Sequence, residues 1–407
     1  MPINKKSKVN NVITWLHLWL GLVSGIIVCL LGITGCIYAF EKELSSVFYK
    51  KIIYIDNPSG YTQTLAFSVI KNNAQQYLGK DKPVSFATTF PNDPHHAWEF
   101  MCYQQGDNKA LWMSQTIKTY ESVFVNPYTG KITGHLDYKH EFFALVKGLH
   151  ISLLLNTKYG EIITGTATLL FVIILITGFV MWYPKKWNKK NIDNSFKINW
   201  KAKWKRINYD LHNVLGFYVC IIAFIIACTG LTMAFNWFRA IVYVAASASI
   251  TAPDFKTYKS DTTKPYPTNA YDISFEEVKK IYPKAQRIGV SISSKNSDAI
   301  SMTAYHLKDV YYNDDKLYFD KASGKKLGAV LYDRENNGVK FLTMNYDIHI
   351  GAIGGIIGKI IAFLISLVCA SLPITGFIIW LNKKKKLKKK NTNKFYRINN
   401  SNTSSIA

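Results

Sequence analysis

The feature that most constrains the fold is an apolar run at residues 15–40, which contains one histidine, His17, near its start. About 20 apolar residues suffice to cross the hydrocarbon core of a bilayer, so this run is long enough to span a membrane as a helix. A second apolar run at 209–235 repeats its pattern at a constant offset of 195 positions. At this offset His17 aligns with His212, and a Thr-Gly pair late in the first run aligns with one in the second. The pattern indicates an internal duplication of a histidine-bearing span.

Two further runs extend the repeat. His150 and His349 are 199 positions apart, and the T-G-F-x-x-W sequence at 177–182 recurs 198 positions later. We therefore predict a parallel duplication, in which each copy has a span, a polar segment and a second span. The polar segments contain short β-branched and aromatic stretches separated by turn residues, which predicts strands.

The apolar runs and the stretches between them define the predicted segments. We expect a four-helix transmembrane bundle made of spans 12–40, 146–184, 208–235 and 346–382. The predicted outer modules are 41–145 and 236–345. The remaining parts are an N-terminus at 1–11, a basic loop at 185–207 and a basic tail at 383–407.

The net charge of +24 is concentrated beside the predicted spans. Residues 185–206 include nine Lys or Arg and one acid, and residues 383–397 include nine and no acid. Nucleic-acid binding would instead predict basic residues mixed with aromatics on a folded face. Basic segments beside spans follow the positive-inside rule, which predicts a cytoplasmic loop and two cytoplasmic termini. We expect the lipid bilayer, and not nucleic acid, as a partner.

The N-terminal 40 residues also resemble a secretory signal sequence. However, the apolar run is too long for a cleaved signal, and no A-x-A site follows it. We therefore expect an uncleaved first span.

The four histidines of the predicted spans are the candidate functional residues, because a histidine in a membrane is costly and usually functional. The predicted orientation places His17 and His212 at the cytoplasmic ends of their spans, and His150 and His349 at the outer ends. Two histidines at each level of a four-helix bundle suit axial ligation of one haem per level. Since the chain has no C-x-x-C motif, these would be two non-covalently held haems b, which together make an electron path.

Other interpretations stay open at this point. The histidines could be buried side chains that hydrogen-bond neighbouring helices. Zinc fits less well, because it wants four ligands and no Cys, Asp or Glu joins the histidines within the spans. A proton relay would be expected to bring buried carboxylates, which the spans almost lack.

Several other residues are weaker candidates. Asp210 and Asp347 each precede a histidine by two positions and are either partners of the imidazole or helix caps. His140 is an alternative to His150 as a ligand, although only His150 has a counterpart in the second copy. The remaining histidines of the outer modules are scattered, so a metal site there is not expected; they are His95, His96, His135 and His306.

Several motifs together resemble the PepSY-associated transmembrane helix family. They are L-H-x-W-L-G at 16–21, L-H-N-V-L-G at 211–216, L-H-x-S-L-L at 149–154, T-G-F-x-x-W at 177–182 and 375–380, and turns at 126–130 and 320–324. The resemblance covers about residues 10–385. It implies an integral membrane fold with two α+β PepSY-like periplasmic modules.

The family also implies a function. It resembles iron-regulated inner-membrane proteins, including ferric-siderophore reductases in which two haems carry electrons outward. The resemblance implies a bacterial inner-membrane enzyme that reduces a periplasmic ferric siderophore or other ferric chelate and releases iron. No dinucleotide fingerprint is present, so we expect a separate cytoplasmic reductase or quinol as electron donor. The alternative is a non-enzymatic PepSY membrane protein that binds or regulates a periplasmic partner, such as a peptidase.

Overall fold

Four helical stretches among the described residues are long and apolar enough to cross a membrane: Lys8–Ala39, Thr157–Trp182, Trp204–Ala234 and Ala352–Lys386. In lipid every backbone polar group needs an internal partner, and a continuous helix supplies one. The computed structural model describes residues 8–56, 63–184, 186–253, 256–263 and 269–403, and side chains up to residue 386. The start of the predicted N-terminus, Lys185 of the basic loop and the side chains at the end of the basic tail lie outside the described residues.

The helices and strands alternate in groups along the chain. The helices are α1 Lys8–Ala39, α2 Glu41–Phe48, α3 Lys50–Ile53, α4 Phe67–Leu78, α5 Met113–Thr116, α6 Phe142–Ser152, α7 Thr157–Trp182, α8 Lys189–Phe196, α9 Trp204–Asp210, α10 Gly216–Ala234, α11 Asn236–Ser247, α12 Ala270–Ile281, α13 Asn337–His349 and α14 Gly355–Thr403. The strands are β1 Phe86–Thr89, β2 Trp98–Gln105, β3 Ile117–Val125, β4 Ile132–Asp137, β5 Arg287–Ser291, β6 Ile300–Tyr305, β7 Asp314–Phe319 and β8 Lys326–Val330. A π-helical turn, Leu211–Leu215, joins α9 to α10.

The chain divides into two compact units. The membrane unit comprises Met1–Cys36, Gly165–Cys228 and Phe363–Ala407, and the sheet unit comprises Ile37–Thr164 and Thr229–Ala362. In the membrane unit, small residues bring α1 close to α14: a Cβ added at Gly32 would lie 2.8 Å from the Cβ of Ala370. Such close approach is how helices associate in lipid, where no hydrophobic effect drives them together.

Two of the predicted spans differ from the observed helices. The predicted span 146–184 is divided between α6 and α7, because Leu153 and Leu154 adopt left-handed φ values of 56° and 60°. The predicted span 346–382 is likewise divided between α13 and α14, where Gly351 has φ 77° and Gly355 has φ 60°. A left-handed residue interrupts the helical hydrogen-bond ladder and commonly ends a helix. His150 and His349 therefore lie on short helices that precede the spans.

The sheet unit is built on one antiparallel sheet of eight strands in the order β4-β3-β2-β1-β5-β6-β7-β8. Both polar segments contribute a helix followed by four strands, and the pairing of β1 with β5 joins them, with Phe86 opposite Ser291. The two predicted modules therefore share one sheet. Because β1 of the first pairs with β5 of the second, neither strand is left as an unpaired edge.

The two faces of this sheet differ in chemistry. One face packs against α4 and α12 through an apolar core that includes Phe67, Trp98, Phe100, Phe275 and Phe319. Since successive side chains in a strand point to opposite faces, the intervening residues line the other face. That face is polar and aromatic, with Glu99, Tyr103, Tyr120, Arg287 and Tyr305.

Candidate functional site

The membrane unit brings His17 of α1 and His212 together. Their ring centroids are 6.3 Å apart and the ring planes are nearly perpendicular, at 88°. His212 lies in the π-helical turn Leu211–Leu215. Such turns are rare and often occur at functional sites. The pair predicted from the offset of 195 positions therefore meets in space.

Each of these imidazoles contacts the threonine of a Thr-Gly pair. The Nδ1 atom of His17 is 3.1 Å from Oγ1 of Thr177 and 3.2 Å from the carbonyl oxygen of Ile174. The Nδ1 atom of His212 is 2.9 Å from Oγ1 of Thr375. The two contacts are equivalent by sequence position, since the threonines begin the recurring T-G-F-x-x-W motif.

These contacts determine which ring nitrogen is protonated. A carbonyl oxygen only accepts, so the contact with Ile174 requires a proton on Nδ1 of His17. The hydroxyl of Thr375 uses its hydrogen on the carbonyl oxygens of Ser371 or Leu372, at 3.1 Å and 3.0 Å. It therefore accepts from Nδ1 of His212. In both rings the Nε2 lone pair is left for a metal ion, an arrangement typical of metal-bound histidines.

The glycine of each Thr-Gly pair leaves space for the ring. A Cβ added at Gly178 would lie 3.0 Å from Cε1 of His17, and one added at Gly376 would lie 3.1 Å from Cε1 of His212. Both distances are tighter than ordinary contacts between a Cβ and its neighbours. The Thr-Gly pair therefore combines a hydrogen-bond acceptor with room for the imidazole.

A cavity of about 250 Å³ adjoins both histidines. Its wall is mainly apolar and aromatic, as is usual for cofactor sites. The wall includes Gly21, Gly25, Gly216, Phe179, Trp182, Phe217, Phe377, Trp380 and Lys383. Because glycine has no side chain, Gly21, Gly25 and Gly216 leave room beside the two imidazoles.

The sheet unit contains the second pair. The ring centroids of His150 and His349 are 5.9 Å apart, with the planes at 68°. The Nδ1 atom of His349 is 2.9 Å from Oγ1 of Thr229, which belongs to another Thr-Gly pair. His140, the predicted alternative ligand, instead points its Nδ1 atom at Asp137, 2.7 Å away, and its side chain is 71% exposed. Of the two candidate ligands, His150 is the one that lies beside His349.

A repeated pentapeptide supports one histidine of each pair, and sequence reasoning missed it. The chain reads N-Y-D-L-H at 208–212 and N-Y-D-I-H at 345–349. Asn208 donates to the carbonyl oxygen of Thr375 at 3.1 Å, and Asn345 donates to that of Thr229 at 3.0 Å. Each asparagine thus holds the threonine whose hydroxyl contacts the histidine four positions later. The recurrence of the pentapeptide before two of the four histidines is the sequence signal that could have identified these asparagines.

The aspartates of this pentapeptide are buried and anchor neighbouring loops. Asp210 forms an ion pair with Arg206 at 2.8 Å and accepts from the backbone N–H of Asn199 at 3.2 Å. Asp347 accepts from the backbone N–H groups of Tyr311 and Tyr312 at 2.8 Å and 2.9 Å. These contacts correspond neither to a helix cap nor to a direct imidazole partner, the two predicted roles.

The spacing of both pairs fits one metal ion held between two imidazoles. Metal–imidazole bonds are about 2 Å long, so two ring nitrogens on one ion place the ring centroids about 6 Å apart. A six-coordinate haem iron takes two axial protein ligands, because the macrocycle supplies the other four. No group of three or more His, Cys, Asp or Glu able to hold a metal ion occurs among the described residues. The donor set therefore matches haem better than zinc, which wants four ligands.

Three further histidines, His96, His135 and His306, have separate surroundings in the sheet unit. His96 stacks on Phe90 with ring centroids 3.5 Å apart. His135 contacts Glu121 at 3.0 Å, and His306 contacts Asp315 at 3.1 Å. Each is explained by a local partner.

No curated protein matches the chain. The sequence model of the family described as "PepSY-associated TM region" matches residues 14–383, which is most of the chain. With four membrane helices and paired histidines in a recurring Thr-Gly setting, the protein belongs to this PepSY-associated transmembrane family.

Proposed function

We propose that the protein is a di-haem b-type reductase that passes electrons from the cytoplasmic side of a bacterial inner membrane to a periplasmic ferric siderophore or other ferric chelate. The observation that carries this proposal is the spacing of the two histidine pairs, with ring centroids 6.3 Å and 5.9 Å apart. His17 and His212 would hold the inner haem, and His150 and His349 the outer haem. A bound haem supplies one-electron transfer at its iron.

The protein's own groups prepare each pair for this role. The carbonyl oxygen of Ile174 and the hydroxyl of Thr375 keep the proton of each inner imidazole on Nδ1, so that Nε2 is free. A hydrogen bond of this kind fixes the ring orientation and raises the basicity of the ligand. The apolar wall of the cavity excludes water, and Lys383 provides a cation to meet an anionic group on a bound cofactor.

The direction of transfer follows from the charge distribution. By the positive-inside rule, the basic loop and tail support a cytoplasmic location for those segments and both termini, with the sheet unit on the periplasmic side. The inferred duplication is supported by the order of elements, since α4 precedes β1–β4 and α12 precedes β5–β8, with the short α5 as an addition in the first copy.

The overall reaction balances at one electron per iron. A separate cytoplasmic reductase, or quinol, gives up an electron, and a ferric chelate outside becomes a ferrous chelate. Ferrous iron is held less tightly by hard oxygen ligands than ferric iron, which favours its release.

Proteoliposomes test the proposal directly. With dithionite enclosed and ferric citrate outside, we expect a ferrous-specific chelator outside to accumulate ferrous iron. Vesicles with His212→Ala or His349→Ala protein should give only the rate of protein-free vesicles. A wild-type rate no greater than that of protein-free vesicles would contradict electron transfer and would leave the non-enzymatic binding role.

A further inference from the structure

Tyr311 in the sheet unit lies between two cationic side chains. The Nζ atom of Lys42 is 4.4 Å from the centroid of its ring, and Cζ of Arg287 is 4.3 Å from it. Arg287 also lies 4.0 Å from the ring centroid of Tyr305. Tyr311 is 40% exposed, so this arrangement is open to solvent. We call Lys42, Arg287, Tyr305, Tyr311 and Tyr346 the Tyr311 cluster.

The loop that carries Tyr311 is held in place from three directions. Lys42 donates to the carbonyl oxygen of Asp309 at 3.0 Å, and Arg287 donates to that of Val310 at 2.9 Å. The carboxylate of Asp347 accepts from the backbone of the same loop, as described above. Because these contacts come from α2, β5 and α13, the two cations are positioned before any ligand arrives, which lowers the entropic cost of binding.

Carboxylates lie near the two cations of the cluster without forming close ion pairs with them in the described part of the chain: Asp309 and Glu41 act on Lys42, and Asp347 interacts with both cations. There, neither Lys42 nor Arg287 forms an ion pair with a carboxylate, whereas Lys359 pairs with Glu43 at 2.7 Å. Burial, and then the neighbouring Arg287, lower the pKa of Lys42 to about 8. Asp309 and Glu41 oppose this shift, and burial raises the pKa of Glu41, which weakens the negative charge of that side chain. An anion would relieve this imbalance.

The cluster also reaches α13, the helix that carries His349 of the outer pair. The ring of Tyr346 is 5.3 Å from that of Tyr311 by centroid. Tyr346 precedes His349 by three residues in α13, a spacing that puts two side chains on the same side of a helix with Cβ atoms about 5–6 Å apart. The cluster thus extends from an exposed ring to the immediate neighbourhood of His349.

We propose that the Tyr311 cluster is the docking site of an anionic ferric chelate, whose charge is met by Lys42 and Arg287 and whose organic ligand packs on Tyr305 and Tyr311. The site rests on the proposed function, since it names the class of chelate that receives electrons near His349. Aryl chelates such as catecholates combine negative charge with ring faces, which suits a surface of cations and tyrosines.

The test uses haem-loaded protein and redox-inert gallium(III) chelates, so that binding is measured apart from reduction. The probes are an anionic gallium tris(catecholate) and a cationic gallium desferrioxamine complex. We expect Lys42→Gln to weaken binding of the anionic probe about tenfold, the scale of one charge-assisted contact. The cationic probe should bind no more weakly than before.

A matched control is Lys280→Gln, which removes an exposed cation of α12 on the opposite side of the sheet. It should leave the binding of both probes unchanged. Arg287→Lys, which retains the charge, should bind the anionic probe more tightly than Arg287→Gln.

Haem content, measured on every variant, separates the test of the proposed function from the test of the docking site. Protein that holds no haem defeats the proposed function. Haem-loaded protein in which Lys42→Gln weakens neither probe, or weakens both equally, defeats the docking site.

Discussion

The two histidine pairs have nearly the same spacing but rest on different supports. In the membrane unit, His17 lies inside a long span and His212 in the π-helical turn of another, both beside a mainly apolar cavity. In the sheet unit, His150 and His349 lie on short helices, each separated from the following span by left-handed residues. The same spacing of two imidazoles is therefore built into two settings, one on membrane-spanning helices beside an apolar cavity and one on short helices that precede the spans.

The largest expected effect comes from removing a ligand. His212→Ala should abolish the inner haem and His349→Ala the outer one, so each purified variant should hold about half the haem of the wild-type protein. Pyridine haemochrome assays measure this ratio. His140→Ala is the control and should keep full haem content. Loss of haem in His140→Ala but not in His150→Ala would show that His140 is the ligand.

The threonine contacts give a smaller effect that can be compared between the pairs. Thr375→Val removes the acceptor for Nδ1 of His212, and Thr229→Val removes the corresponding contact of His349. Loss of an outer-shell partner typically weakens metal binding about 10–100-fold. We expect this for the haem of the affected pair only, measured by transfer of haem to apomyoglobin. Thr375→Ser keeps the hydroxyl and should behave like the wild-type protein.

The pH dependence of chelate binding should test the role of Lys42 in the sheet unit. Burial, together with the nearby cations Arg287 and Lys359, lowers the pKa of Lys42 to about 8. The carboxylates of Asp309 and Glu41 act in the opposite direction. The ammonium form is present below that pH and lost above it. The affinity for an anionic chelate should therefore fall up to about tenfold from about pH 7 to pH 9. Lys42→Gln should flatten this profile, and an unchanged slope in that variant would exclude Lys42 as its origin.

The ring planes give the smallest and most specific difference. The inner imidazoles are at 88° and the outer at 68°. Perpendicular imidazoles interact equally with two iron d orbitals, which makes a low-spin ferric centre strongly anisotropic. Electron paramagnetic resonance of the oxidised protein should show greater anisotropy for the inner haem, as assigned with His212→Ala and His349→Ala. Indistinguishable signals from the two single-haem variants would contradict a difference in ring orientation.

The spans and histidines could be predicted from sequence because length and hydrophobicity decide membrane insertion, and a constant offset reveals equivalent positions. The interruptions at Leu153 and Leu154 could not, because leucine normally favours helix and only the tertiary structure forces a left-handed φ. The shared sheet was missed since strand pairing between distant segments has no local signal. The Tyr311 cluster joins residues from four separate elements and a loop, and so becomes visible only in the fold.

The central claim is that each unit holds one haem between two histidines. A reduced-minus-oxidised optical spectrum of the purified protein, combined with its haem-to-chain ratio, tests this most directly. The account predicts a sharp b-type band and two haems per chain, falling to one in His212→Ala and in His349→Ala. A wild-type protein that lacks the band and contains no haem would contradict it.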